Sequence, residues 1–168
     1  MSFTTNTTKL VLRNQSGQIY QFHYPFNASQ IADWTNETHF EIIESQLPFR
    51  IKGSMTNFEA LNRFVEALEN SVLGQLTNRQ IQNIIDGELD GWESIDENQL
   101  NEINIIHESN PAGLGLTYAA QTGLSDLDFI SYLPGDNSFY IDWEKVGQTL
   151  LDSGDLIENG DVYVELNQ

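Results

Sequence analysis

Between Gln80 and Glu144 the chain runs for 65 residues without a lysine or arginine. Thirteen carboxylates fall in that run: Asp86, Glu88, Asp90, Glu93, Asp96, Glu97, Glu102, Glu108, Asp126, Asp128, Asp136, Asp142 and Glu144. The constraint on folding is severe. A segment without cations cannot neutralise its acids by i,i+4 pairing on helix faces, so the repulsion among them is left uncompensated, at a cost in stability. Beyond Glu144 the chain adds Asp152, Asp155, Glu158, Asp161 and Glu165 against Lys145 alone. Residues 86–168 thus hold 18 acids and one base, which is −17 of the formal −18. Residues 1–85, with seven acids and six bases, are close to neutral.

That asymmetry excludes more than it assigns. A net charge of −18 opposes binding to nucleic acid and to anionic membranes, both polyanions, and favours partners with strongly basic surfaces. Solubility or adaptation to high salt is the plainer reading, but salt adaptation acidifies a whole surface and the first half here is balanced. With 39% hydrophobic residues and 18 aromatics the chain has material for a core and is not of disordered composition. At 168 residues that core is one domain or two or three small ones. The absence of cysteine removes disulfides, thiolate metal sites and Cys nucleophiles. The opening MSFTTNTTKLVLRNQ has no basic region leading into an apolar stretch. No apolar run approaches the roughly 20 residues that span a bilayer. A cytoplasmic protein is expected, in which the sequons at Asn6, Asn14, Asn27 and Asn36 are chance.

Taken in order, residues 9–13 and 18–24 read as strands, and Asn14-Gln-Ser-Gly17 between them is hairpin chemistry. Tyr20, Phe22 and Tyr24 form an aromatic stripe that is expected to cover a helix. Asn27 caps a short helix through Ile31 and Trp34, and Phe40–Glu44 returns as a strand that ends before Pro48. This is a ββαβ unit. Thr56-x-x-Glu59, Thr77-x-x-Gln80 and Ser94-x-x-Glu97 each fit a capping box followed by apolar residues at helical spacing, which predicts three short helices. Ile103–His107 reads as a strand, and Asn110-Pro111 as a helix start closed by Gly123. Ser125-x-x-Asp128 opens another helix, through Phe129, Ile130 and Leu133 to Pro134-Gly135. Asp142 caps the next, through Trp143, Val146, Leu150 and Leu151 to Gly154. Asn159-Gly160 inside an alternating run predicts a terminal type I′ hairpin. The fold class is α+β, in three small parts at 1–55, 56–102 and 103–168.

Few constellations point to a localised site. Asp86-x-Glu88-x-Asp90-Gly91 with Glu97 at position 12 fits much of an EF-hand loop, and oxygen ligands at that spacing suit Ca²⁺. Against it, position 8 is Glu93 and position 3 is Glu, and no second loop pairs with it. His23, His39 and His107 have no ligand spacing and read as structural histidines. No serine sits in Gly-x-Ser-x-Gly or Ser-x-x-Lys, and Gly113-Leu-Gly115 lies in a helical pattern without a following Lys. Trp34, Trp92 and Trp143 sit at core spacing. No enzymatic role, cofactor or metal is expected.

The carboxylates themselves remain. Duplex DNA carries one charge per roughly 1.7 Å of axis. A compact chain of this size spans on the order of 40 Å, a length along which duplex carries roughly 23 phosphates. A charge of −18 is comparable. A solvated acidic face would intersperse Lys or Arg at i,i+4, and 65 residues lack them.

Several segments resemble the ArdA-type antirestriction proteins. They are Gly17-x-x-x-x-Phe22-x-x-Pro25-Phe26, then Gln46-Leu-Pro-Phe49, then Phe58-Glu-Ala-Leu61-Asn62-Arg63-Phe64. Ile105-Ile-His107, Tyr118 through Gly123, and Tyr140-Ile-Asp142-Trp143 through Ser153-Gly154 continue the match in order, over most of the chain. The resemblance implies an elongated, three-domain protein, carried on mobile genetic elements and dimeric through its C-terminal part. It implies that the acidic surface mimics bent duplex DNA and occupies the DNA-binding groove of a Type I restriction–modification methylase or endonuclease complex. The phosphate-mimicking groups would be the thirteen acids of the run with Asp152, Asp155 and Glu158. The dimer contact would lie at Tyr140, Ile141, Trp143, Val146 and Leu150. The alternatives are an inhibitor of another nucleic-acid enzyme, such as a CRISPR nuclease, and a Ca²⁺-binding acidic module.

Overall fold

The computed structural model describes residues 2–36, 39–52, 57–122 and 141–166. The fold is mixed α and β with two three-stranded antiparallel sheets, and the chain divides into two compact units, residues 1–101 and 102–168.

In the first unit β1 (Lys9–Arg13) is the central strand between β2 (Ile19–His23) and β3 (Glu41–Ser45), with both pairings antiparallel. The β1–β2 turn is built by Asn14, whose Oδ1 accepts the Gln18 N–H at 2.9 Å, with Gly17 at φ +83° closing it. Leu10 and Leu12 are fully buried on one face, and Phe22, paired with Leu10, turns to the same side. There α1 (Ala28–Thr35) covers the sheet: the Trp34 ring meets Phe22 edge-on at 5.5 Å and Tyr20 at 6.2 Å. Tyr24 leaves the stripe and packs on Phe26 instead. Asn27 caps α1 by accepting the Gln30 N–H, and Asn36 ends it at φ +55°.

α2 (Phe58–Asn70) is capped one residue later than the Thr56 box predicts. Asn57 accepts the Ala60 N–H at 3.1 Å, which sets Phe58, Leu61, Val65 and Leu68 on one buried stripe. The Asn62 amide works as a clamp on the chain after β2. Its Oδ1 accepts the Phe26 N–H at 2.8 Å, and its Nδ2 donates to the Phe26 carbonyl at 2.6 Å. Phe26 also meets Phe58, while Phe49 meets Phe64 and Trp92. Segments 1–55 and 56–102, expected as separate domains, are therefore packed into one unit. Asn62→Ala leaves a partly buried N–H and C=O without partners and is expected to cost about 2–4 kcal/mol, measured as a lowered urea midpoint. An unchanged midpoint would show that water replaces the clamp.

The Thr77-x-x-Gln80 box forms in full at the start of α3 (Asn78–Gln82). α3 continues into a π-helical turn, Asn83–Glu88, that keeps both Ile84 and Ile85 fully buried. It unwinds through Asp90 (φ +59°) and Gly91 (φ +98°). The Ser94 box does not form. Ser94 closes a 3₁₀ turn, and Asp96 caps the next one, Glu97–Asn101, by accepting the Asn98 N–H while its own N–H donates to Gln99.

In the second unit β6 (Val162–Glu165) lies between β4 (Asn104–Ile106) and β5 (Leu156–Asn159). α4 (Pro111–Thr122) begins with Pro111, and Asn110 accepts the Gly113 N–H at 2.8 Å. α5 (Trp143–Asp152) is capped by Asp142. Ile106, Leu114, Leu156 and Tyr163 form the core, with Tyr118, Leu150 and Leu151 packed against it. The helices approach through glycines: a Cβ on Gly147 would overlap the Pro111 carbonyl, and one on Gly115 the Trp143 carbonyl. Asn159 pairs with Val162, so the hairpin loop is Gly160-Asp161, not Asn159-Gly160. Gly160, at φ +67°, takes the first central position that a type II′ turn reserves for glycine. The expected Gly123 cap and the Ser125–Leu133 helix lie outside the described residues. No helix among the described residues is long and apolar enough to cross a membrane.

Candidate partner-binding surface

In the first unit six of the predicted carboxylates crowd into twelve residues, and the fold divides them. Asp86 is half-buried at the π-turn and accepts the Arg50 N–H at 3.0 and 3.3 Å, tying down the Leu47-Pro48-Phe49 segment whose Pro48 and Phe49 are buried. Asp96 is spent on its cap, and Glu97 meets Arg63 at 3.4 Å. Glu88, Asp90 and Glu93 are exposed and make no ion pair among the described residues. The sheet is different. Lys9 pairs with Glu44 at 3.5 Å and Arg13 with Glu41 at 3.2 Å, so these bases neutralise acids outside the run.

In the second unit Glu108 folds over α4, where the Thr117 hydroxyl in mid-helix donates to it at 2.6 Å. Asp142 caps α5 and lies 3.8 Å from Lys145, while Asp152 accepts from Gln148 at 2.9 Å. The Ser153 hydroxyl reaches Asp155 at 3.4 Å. Glu102, Glu144 and Glu158 are exposed. Asp126, Asp128 and Asp136 lie outside the described residues.

Sequence reasoning passed over Glu165, which the pleat turns to the helix side of the sheet. One of its carboxylate oxygens, Oε2, is buried without a hydrogen-bond partner among the described residues. The Tyr118 phenol is hydrogen-bonded to the Glu165 carboxylate and titrates above the usual 10.0, first through burial, then through the charge of Glu165 and that bond, and last through the charge of Asp155. Tyr163 is raised likewise by burial and by Glu158. A phenol whose folded pKa is raised keeps its proton after the unfolded chain has lost it, so its contribution is complete below pH 10 and is lost as pH rises through the folded value. Urea midpoints are expected to fall above about pH 10, and less steeply for Tyr118→Phe. Parallel curves for the two proteins would exclude this coupling.

The EF-hand spacing does not produce an EF-hand. Asp86 faces a backbone N–H inside a π-helical turn, and among the described residues no three His, Asp or Glu side chains converge as metal ligands. Of the predicted dimer residues, Tyr140 lies outside the described residues, and Ile141, Trp143, Val146 and Leu150 are half-buried. Leu150 already packs against the unit's own core, and Val146 lies beside Gly115 of α4. Trp92 is a core residue between Phe49 and Phe64. No protein-family model matches the chain, and no curated protein matches its sequence.

Proposed function

We propose that this protein is a non-enzymatic DNA mimic that occupies the DNA-binding groove of a Type I restriction–modification enzyme in the bacterial cytoplasm, acting as a homodimer. The observation that carries the reading is the 65-residue run with thirteen carboxylates and no base. Exposed Glu88, Asp90, Glu93 and Glu144, which form no ion pair among the described residues, support it. Uncompensated repulsion of that kind destabilises a fold, and a partner rich in Lys and Arg relieves it. The motif residues of the ArdA-type resemblance also have physical roles here: Asn62 clamps Phe26, and Phe49 packs in the core.

In such a mechanism arrayed carboxylates replace phosphates opposite basic side chains, and counterions leave both surfaces. Association is then fast and weakens steeply with salt. The test is competition against a fluorescent duplex for a purified Type I methylase complex. Displacement is expected at about 50 mM salt and its loss at several hundred millimolar, a range over which such contacts lose orders of magnitude in affinity. Failure to displace duplex at low salt would reject the reading.

A further inference from the structure

We propose that Arg63 is a built-in competitor for the carboxylates of the Asp86–Glu97 segment, holding a position that a cationic side chain of the partner must take. The proposal rests on the partner-binding reading above. Arg63 is the residue of α2 between the Asn62 clamp and buried Phe64, so its backbone is fixed by the core while its side chain points outward. Its Nε lies 3.4 Å from Glu97 Oε1, across 34 residues of sequence. The pair borders an open cleft of ≈ 290 Å³ that is also lined by Phe64, Trp92, Glu93 and Asp96. The guanidinium therefore meets Glu97 at the edge of a cleft that Glu93, Asp96, Phe64 and Trp92 also line, which is the environment an incoming arginine or lysine would meet.

Two features make this a competitor more than a brace. The side chains are 64% and 49% exposed, and ion pairs so open to water hold a fold together weakly. The ion pairs Lys9–Glu44 and Arg13–Glu41 lie on the sheet away from the run, whereas Arg63 cancels charge within it. A cation arriving in the cleft loses the attraction of Glu97 and feels the repulsion of Arg63, at separations where screening is incomplete.

The experiment titrates octa-arginine peptide, and separately a Type I methylase complex, into the wild-type protein and into Arg63→Gln, Arg63→Lys and Arg79→Gln. Arg79 is exposed on α3 and does not line the cleft, so its variant makes the same change of net charge elsewhere in the unit. Arg63→Gln is expected to bind octa-arginine about fivefold more tightly at low salt, Arg63→Lys like wild type, and Arg79→Gln within about twofold of it. Thermal midpoints should stay together, as suits an exposed pair. Equal gains for the two Gln variants would overturn the proposal, because net charge alone would explain them. Weaker binding by Arg63→Gln would overturn it too. If the DNA-mimic reading itself is wrong, no protein binds the methylase, while the peptide series still decides the role of Arg63.

Discussion

Replacing Glu88, Asp90, Glu93, Glu144, Asp155 and Glu158 together by their amides abolishes competition with duplex DNA, while Glu88→Gln alone changes it by no more than about threefold. The difference follows from how an array works. A single exposed charge facing a basic groove contributes on the order of 0.5 kcal/mol after screening, so one loss is about twofold and six multiply to roughly 100-fold or more. These six were chosen because none caps a helix, holds a backbone N–H across the unit or sits in an ion pair among the described residues. The amide array should therefore fold, and circular dichroism checks that it does. The salt dependence should flatten at the same time, because fewer counterions are released. A single substitution in this set that eliminated competition would point to a localised site and count against the array.

Gly147→Ala unfolds the second unit at denaturant concentrations where the wild type is intact. The added Cβ falls on the carbonyl of Pro111, which is backbone and cannot rotate aside, so α4 and α5 must separate. Helix interiors ordinarily gain about 1 kcal/mol from Gly→Ala, and the sign reverses here because the close approach needs the missing methyl. Overpacking of this kind costs about 1–3 kcal/mol and more where backbone is the obstacle. Against a whole-domain stability of roughly 5–15 kcal/mol, that is a large share. Gly115→Ala, whose Cβ would meet the Trp143 carbonyl and the Gly147 nitrogen, should behave similarly. Gly87, with open space around its Cα, should tolerate alanine. Urea titrations followed by circular dichroism rank the three. Gly147→Ala as stable as the Gly87 variant would show that the two helices stand farther apart.

Much of the local structure was legible in the chain. Asn14–Gly17, Asn27, Thr77–Gln80, Asn110-Pro111 and Asp142 each act on backbone groups within four residues, so their chemistry can be read without knowing the fold. Where local signals competed, reading failed. Thr56, which lies outside the described residues, and Asn57 are both of a type that caps helices, and burial of Phe58 on the α2 stripe goes with Asn57 as the cap. Ser94 and Asp96 competed in the same way, and the carboxylate, with Gln99 returning the bond, won. The terminal turn moved by one residue because pairing of Asn159 with Val162 set the register.

The amino-acid sequence alone determined where the charge lies, since composition is independent of folding: the run from Gln80 to Glu144 has no base in any conformation. It also determined the alternation of strands and helices around it. Only the tertiary structure decided what each carboxylate does. Asp86 is held by the Arg50 N–H 36 residues away, Glu97 by Arg63 and Glu108 by Thr117, while Glu88, Asp90 and Glu93 stay open to solvent. Those assignments depend on which backbone amides and cations packing brings within about 3 Å, and residue type does not encode that proximity.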